Sequence, residues 1–337
     1  MSLALMLLAS VACAASKPQL PAFPGAVGYG RMAVGWRGGD VVKVTNIEDS
    51  GPDSLRHCLE GLALPRVCII ETSGTIALHR AIHVQPDVYL AGQTAPGDGL
   101  QLRLSGDDNG SSPLIIKNSH DVVIRNLKSR PGPGAIPTPA VSSLLVENSE
   151  RVMLDRLSLM FASDQVFSVH AERGSTRDVT LQRSIVAYGL HSSNHPKGHH
   201  SKGALVCSLI PRAPENGDRC GFVTLWHNLF AHNNDRNPDL NSTSMPMQVV
   251  NNVFYNARSQ YGEFYDHYGS MEVDYIGNLV LFGPNTVKTR PPYPVEIFDF
   301  NEDFDVKIYL QDNIGAAHRG SSGSAEGRIL PPLARHQ

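Results

Sequence analysis

The chain has 337 residues and a formal net charge of -3, so bulk electrostatics gives no reason to expect a nucleic-acid partner. A hydrophobic fraction of 41% against 18% charged is ample for one large core. Its 30 glycines and 23 prolines, with only 7% aromatics, fit many short elements joined by turns better than long helices.

The apolar run Leu3 to Ala12, followed by the small residues Ala12-Cys13-Ala14, reads as a secretory signal peptide over residues 1–14. A secreted protein, extracellular or periplasmic, is therefore expected. A lipid anchor at Cys13 is the weaker alternative, because Ser10 stands where an apolar residue would be expected. The run is too short to span a bilayer, so no membrane partner is expected. With Cys13 gone with the leader, Cys58, Cys68, Cys207 and Cys220 form an even set. In an exported protein the sequence neighbours Cys58–Cys68 and Cys207–Cys220 could pair, with four buried thiols as the alternative; the spacings match no zinc site.

The main domain is read over residues 15–315. Its glycine-rich opening, Gly25 to Gly39, has no strand before it and no Lys-Ser/Thr or helical pattern after it. It is thus neither a phosphate loop nor a dinucleotide turn, and its glycines more plausibly serve close packing. Val41–Val44 reads as a strand, and Asp53–Leu59 as a short helix capped by Ser or Asp. From Val67 onward come short β-branched or aliphatic runs, none of helical length: Val122-Val123-Ile124, Val152-Met153-Leu154, Val179-Thr180-Leu181, Val223-Thr224-Leu225, Val273-Asp274-Tyr275-Ile276 and others.

The runs repeat. Lys117-Asn118-Ser119-His120-Asp121-Val122 is echoed from Glu147 and again from Gly174, at a period of roughly 25–30 residues. With about three short strands per unit, no single unit can bury its own apolar face, and the units must stack as a solenoid. Asn126, Asn228, Asn252, Asn278 and Asn313 follow strands at an equivalent offset, as a structural ladder of stacked amides would require. The expected fold is an all-β, single-stranded parallel β-helix. Residues 316–337, Gly/Ser-rich and without a period, are expected to form a flexible tail.

Equivalent positions on neighbouring coils lie about 4.8 Å apart, so residues one period apart can share a site. Three coils depart from the repeat. In Leu159–Ser168, Asp164 enters a strand and Ser168 keeps its parity, a pairing able to hold a hard cation such as calcium; the plainer reading of Asp164 is a turn cap. Gly189–Leu205 holds four histidines, but without a His-Glu-x-x-His pattern on a helix they do not read as a zinc site. His200, Lys197 and above all Lys202 read instead as an anion-receiving wall. One unit later, Trp226–Pro238 ends in a polar loop with Arg236 two residues before Pro238. Cations beside an acidic coil suit an acidic sugar polymer, whose carboxylate they would neutralise before its neighbouring proton is removed.

Several motifs carry a resemblance to pectate lyases, related to polysaccharide lyase family 1. They are Ala22-Phe23-Pro24-Gly25-Ala26-Val27-Gly28, Asn46–Arg56, Ala91–Gly99, Asn194-His195-Pro196-Lys197-Gly198 and His227–Pro238. The resemblance implies a right-handed parallel β-helix that cleaves pectate by β-elimination, with calcium bridging the substrate carboxylate and an arginine as base. By position, Arg236 matches the base, Lys202 a substrate-binding lysine and Asp164 a calcium ligand. The remaining calcium carboxylates fall near Ser142 or Ser143 and on Ser168, and a second substrate arginine falls near Asn241, with Asp239 close by. A monomer acting on an acidic polysaccharide is expected. Two alternatives stand beside the lyase: a non-catalytic carbohydrate-binding β-helix, and a hydrolase, for which Asp164 lacks an evident carboxylate partner.

Overall fold

The computed structural model describes residues 20–200, 202–209, 217–288 and 293–315. The expected leader over residues 1–14 and tail over 316–337 lie outside the described residues. The short apolar runs become strands, and all strands fall into three parallel sheets. Each coil visits the sheets in the same order. Glu150–Asp155 lies in the first, Ser158–Met160 in the second and Gln165–Ala171 in the third, after which Ser175–Gln182 returns to the first. This is the parallel β-helix expected from the repeat.

Register explains the core. In the first sheet Val122, Val152, Val179, Val223, Met247 and Val273 are aligned strand by strand. All six are buried, so one apolar position per coil builds a continuous column. A slip of one residue would turn that column to solvent, which fixes the pairing. At the start of the solenoid the short helix Leu55–Leu59 is capped by Ser54, whose side chain accepts from His57 N. Its Leu55, Cys58 and Leu59 extend the same core.

The asparagine ladder is present between the first and second sheets. Asn228, Asn252 and Asn278 each donate from Nδ2 to the Oδ1 of the next asparagine at 3.1, 3.1 and 3.2 Å, ending on Asn313. Asn126 is not part of it. It sits one residue earlier in its turn, at φ 54°, alongside Arg156, Arg183, His227 and Asn251, all left-handed. In the preceding coils Ser184 takes the ladder position, its N–H donating to Asn228 Oδ1 at 2.9 Å. Leu157 N then donates to Ser184 Oγ at 2.9 Å.

The N-terminal segment crosses the outside of the first sheet, where Phe23, Ala26 and Ala33 pack on Val123 and Met153. Gly30 donates from its backbone N to Thr180 Oγ1 at 2.9 Å. A Cβ there would lie 2.2 Å from Val152 O, so this glycine serves close approach, as its sequence context suggested. Both expected disulfides are formed, Cys58–Cys68 and Cys207–Cys220.

Candidate active site

The third sheet turns Phe167, Val169, Ala204, Val206, Leu240 and Phe264 into the core. Polar residues occupy its outer face. Asp239, Glu263 and Glu296 form one register column on three successive strands. Between the strands Ile185–Ala187 and Lys202–Leu209 the chain leaves the coil for an excursion that carries His191, His195, Lys197 and His200. Its residues wall a cleft of about 330 Å³ that also takes in Asp164, His170, Arg236, Asp239, Asn241, Tyr265 and His267.

Arg236 sits in the left-handed region at φ 58°, just before the cis Asn237–Pro238 peptide. Its carbonyl accepts from Ala204 N at 2.7 Å, and its N–H donates to Glu263 Oε1 at 2.7 Å. Gly203 allows the chains to meet here, since a Cβ would stand 2.4 Å from Arg236 O. The side chain is 26% exposed, and its Nε lies 3.4 Å from Asp239 Oδ2. Burial alone would lower its basicity, but Asp239, Glu263, Asp235 and Asp164 more than reverse this and raise it above the ordinary arginine value. Lys202 was expected to bind substrate. Instead its Nζ is paired with Asp235 Oδ2 at 2.5 Å.

The carboxylates around Arg236 carry the cost of burial. Asp239 is pushed up to about 7, chiefly by desolvation and against the pull of Arg236. Glu263 is pushed up to about 8 by burial and by Asp239, while Tyr265 donates its hydroxyl to Glu263 Oε2 at 2.9 Å. Asn241, expected to touch substrate, lines the cleft but donates from Nδ2 to Asp239 Oδ1 at 2.9 Å. Lys197 is exposed on the cleft wall. His170, which sequence reasoning passed over, faces the cleft from its strand and is pushed down to about 4 by burial. The signal for it was the parity of the strand Gln165–Ala171, two residues on from Ser168.

Asp164 meets imidazoles rather than oxygens. His200 Nε2 lies 2.9 Å from Asp164 Oδ1, and His195 Nε2 lies 3.7 Å from the same atom. Ser168, expected beside Asp164, is bonded at 2.8 Å to Ser142 Oγ. Calcium takes six to eight oxygen ligands, so one carboxylate with two imidazoles does not fit it. A softer ion is no better served. The two rings stack 14° from parallel with centroids 3.8 Å apart. Nearly parallel rings cannot both aim an in-plane nitrogen lone pair at one ion. His195 Nδ1 also accepts from Lys197 N at 3.1 Å, which places the His195 proton on Nε2.

No family model matches the chain. Among curated relatives, a protein named probable pectate lyase C from Aspergillus fumigatus (strain CBS 144.89 / FGSC A1163 / CEA10) is 33% identical over 271 residues, covering 80% of this chain and 56% of its own. The proteins of the same name from Emericella nidulans and Aspergillus terreus are 32% and 31% identical, covering 84% and 86% of this chain and 58% and 61% of theirs. The chain thus spans little more than half the length of these relatives. Among solved structures, a Bacillus pectate lyase in complex with trigalacturonate aligns at a TM-score of 0.49 and 14% identity, covering 93% of this chain and 94% of that one. The major cedar-pollen allergen aligns at 0.48 and 13%, covering 92% and 89%. The curated relatives thus extend the resemblance to pectate lyases over 80–86% of this chain.

Proposed function

We propose that this chain cleaves a uronic-acid polymer, pectate or a close relative, by β-elimination. The observation that carries this reading is Arg236, a positive charge lining the cleft whose basicity its acidic neighbours raise above the ordinary arginine value. A uronate carboxylate paired with such a cation can accept electron density from the adjacent carbon, and the developing enolate is stabilised where it forms. Lys197 supplies a second, exposed cation for a neighbouring sugar along the cleft wall. The relatives' name, pectate lyase, points to the same chemistry.

The resemblance gives Arg236 the part of the base. Its carboxylate surroundings oppose deprotonation, so we assign it the electrostatic part, holding the carboxylate and the enolate. Calcium enters no step, because the donors at Asp164 do not suit it. The two disulfides favour an oxidising compartment outside the cytoplasm, in keeping with a secreted enzyme. Among the described residues no helix is long and apolar enough to cross a membrane.

A second reading is a hydrolase, favoured by one observation: Asp239 and Glu263 are carboxylates on adjacent coils, both pushed up towards neutrality. The pairing absent from the sequence around Asp164 exists two and three coils further on, but Arg236, Asn241 and Tyr265 already occupy it. The test is ultraviolet absorbance of the unsaturated uronate formed on polygalacturonate. The wild type is expected to produce it, and Arg236→Ala to lose on the order of 10²- to 10³-fold in turnover. Reducing ends without unsaturation would favour the hydrolase.

A further inference from the structure

We propose that a second cleft, beside the outer face of the second sheet, binds a uronate residue of the acidic polymer at a distance from the Arg236 cleft. The sugar class rests on the lyase reading above. The second cleft measures about 410 Å³, and Arg103, Arg130, Gly132, Gly134 and Phe161 are among its walls. It shares no lining residue with the Arg236 cleft. Gly132 and Gly134 face it from a loop whose Pro139, further along, lines the other.

Strand alternation supplies the charge. In Leu100–Leu104 the three leucines are buried, while Gln101 and Arg103 face outward. Arg103 donates only to its neighbour's carbonyl, Leu104 O, at 3.1 Å. Arg130 donates to Gln101 Oε1 at 3.2 Å and Ser158 Oγ at 3.0 Å, and its buried Nε has no partner among the described residues. Neither guanidinium forms an ion pair among the described residues. The carboxylates next in sequence are committed elsewhere. Asp107 pairs with His79 Nδ1 at 2.9 Å, and the buried Asp108 accepts from Gly110 N and Ala135 N at 2.9 and 3.0 Å. A half-buried cation met only by neutral groups favours an anion beside it.

An aromatic column supplies the second half of the site. On successive coils the chain leaves the second sheet through left-handed residues, Gly132, Phe161, Tyr188 and His232, at φ 78, 61, 52 and 59°. That conformation suits Gly or Asn, so three rings in a row stand there against a backbone cost. Tyr188 and His232 stack with centroids 4.4 Å apart, and Phe161 follows 6.2 Å from Tyr188. Phe161 and Tyr188 are 37% and 47% exposed. The column stops at Gly132, where a Cβ would meet nothing within 4 Å. The layer left open beside Phe161 is about 4.8 Å deep, one coil spacing. A pyranose ring lying flat on Phe161 extends the column by that layer, and its carboxylate reaches the arginines. The arginines alone would suit any anion. The ring beside them selects an anion carried on a flat apolar face, which a uronate has.

The test runs full-length Arg236→Ala, alone and combined with Phe161→Ala, Phe161→Tyr or Arg103→Ala, through native gels that contain polygalacturonate or neutral galactan. Arg236→Ala serves as the background so that the polymer stays intact during the run. Phe161→Ala and Arg103→Ala are each expected to weaken retardation by polygalacturonate about tenfold in apparent Kd, the worth of one charge-assisted or stacking contact. Phe161→Tyr, which keeps the ring, is expected to keep the retardation, and galactan is expected to retard none of them. Arg103 is exposed and bonds only to its own neighbour, so its variant reads binding without a loss of folding. With Arg236 restored, Phe161→Ala and Arg103→Ala are expected to hold kcat within about twofold while KM on the polymer rises. Retardation kept within about twofold by either variant overturns the site, and retardation by galactan equal to that by polygalacturonate overturns the choice of an acidic sugar. A wild type that forms no unsaturated product overturns the lyase reading instead, and the gels, which need no turnover, keep the two failures apart.

Discussion

Replacing Asn252 by alanine removes four hydrogen bonds from the interior of the solenoid. Its Oδ1 accepts from Asn228 N at 2.9 Å and from Asn228 Nδ2 at 3.1 Å. Its Nδ2 donates to Leu225 O at 3.0 Å and to Asn278 Oδ1 at 3.1 Å. The residue is 1% exposed, so water does not readily replace these partners. At about 1 kcal/mol net for each bond the loss is about 4 kcal/mol. Stranding the buried Asn228 N–H pushes the figure upward, since Asn228 Nδ2 keeps Leu181 O but the backbone donor has no acceptor other than Asn252 Oδ1 among the described residues. The neighbour Asn251 is the internal control. It is exposed, sits at φ 54° in the turn, and its substitution by alanine costs only the left-handed strain, about 1 kcal/mol. Denaturant unfolding of the two variants at matched m-values measures both. A cost for Asn252→Ala no larger than that for Asn251→Ala would show that the ladder does not hold the coils together.

Glu263 and Asp239 have folded pKa values raised above those of a free carboxylate. Their stabilising contribution is complete below about pH 4 and is lost as pH rises through about 7 to 8, so the fold is expected to weaken over that window. Glu263→Gln should flatten the decline, read as the difference in thermal midpoint between pH 5 and pH 9. Reduction of Cys58–Cys68 and Cys207–Cys220, with sequence separations of 10 and 13, should cost about 3 kcal/mol per bond in denaturant unfolding. Chelation of calcium should leave turnover on polygalacturonate within about threefold, because the donors at Asp164 are imidazoles. A steep loss restored by calcium alone would reverse the reading of that cluster.

The solenoid was legible because its cause is periodic. The column Val122, Val152, Val179 and Val223 is one apolar position per coil, and a repeated pattern in sequence becomes a repeated contact in space. The ladder was legible except at Asn126, where a one-residue offset exchanges an inward amide for a left-handed turn residue. The site was legible as a gathering of residues but not as chemistry. Asp164, His200, Lys197, Arg236 and Asn241 do line one cleft, as three neighbouring coils allow. Their partners depend on the excursion through His195 and His200, whose path carries no period and so cannot be aligned to the coils in advance. That excursion supplies two imidazoles to Asp164 and leaves Ser168 to Ser142. Likewise, the pairing of Lys202 with Asp235 follows from their register across a loop closed by the cis Asn237–Pro238 peptide.

The most direct measurement of the central claim is mass spectrometry of the oligosaccharides released from a defined oligogalacturonate by the purified chain. Elimination adds nothing to the substrate, so the two fragments of each scission should sum to the mass of the parent, with the unsaturated ring at one new end. Fragments whose masses together exceed the parent by one water would mean hydrolysis and would contradict the proposed elimination at the Arg236 cleft.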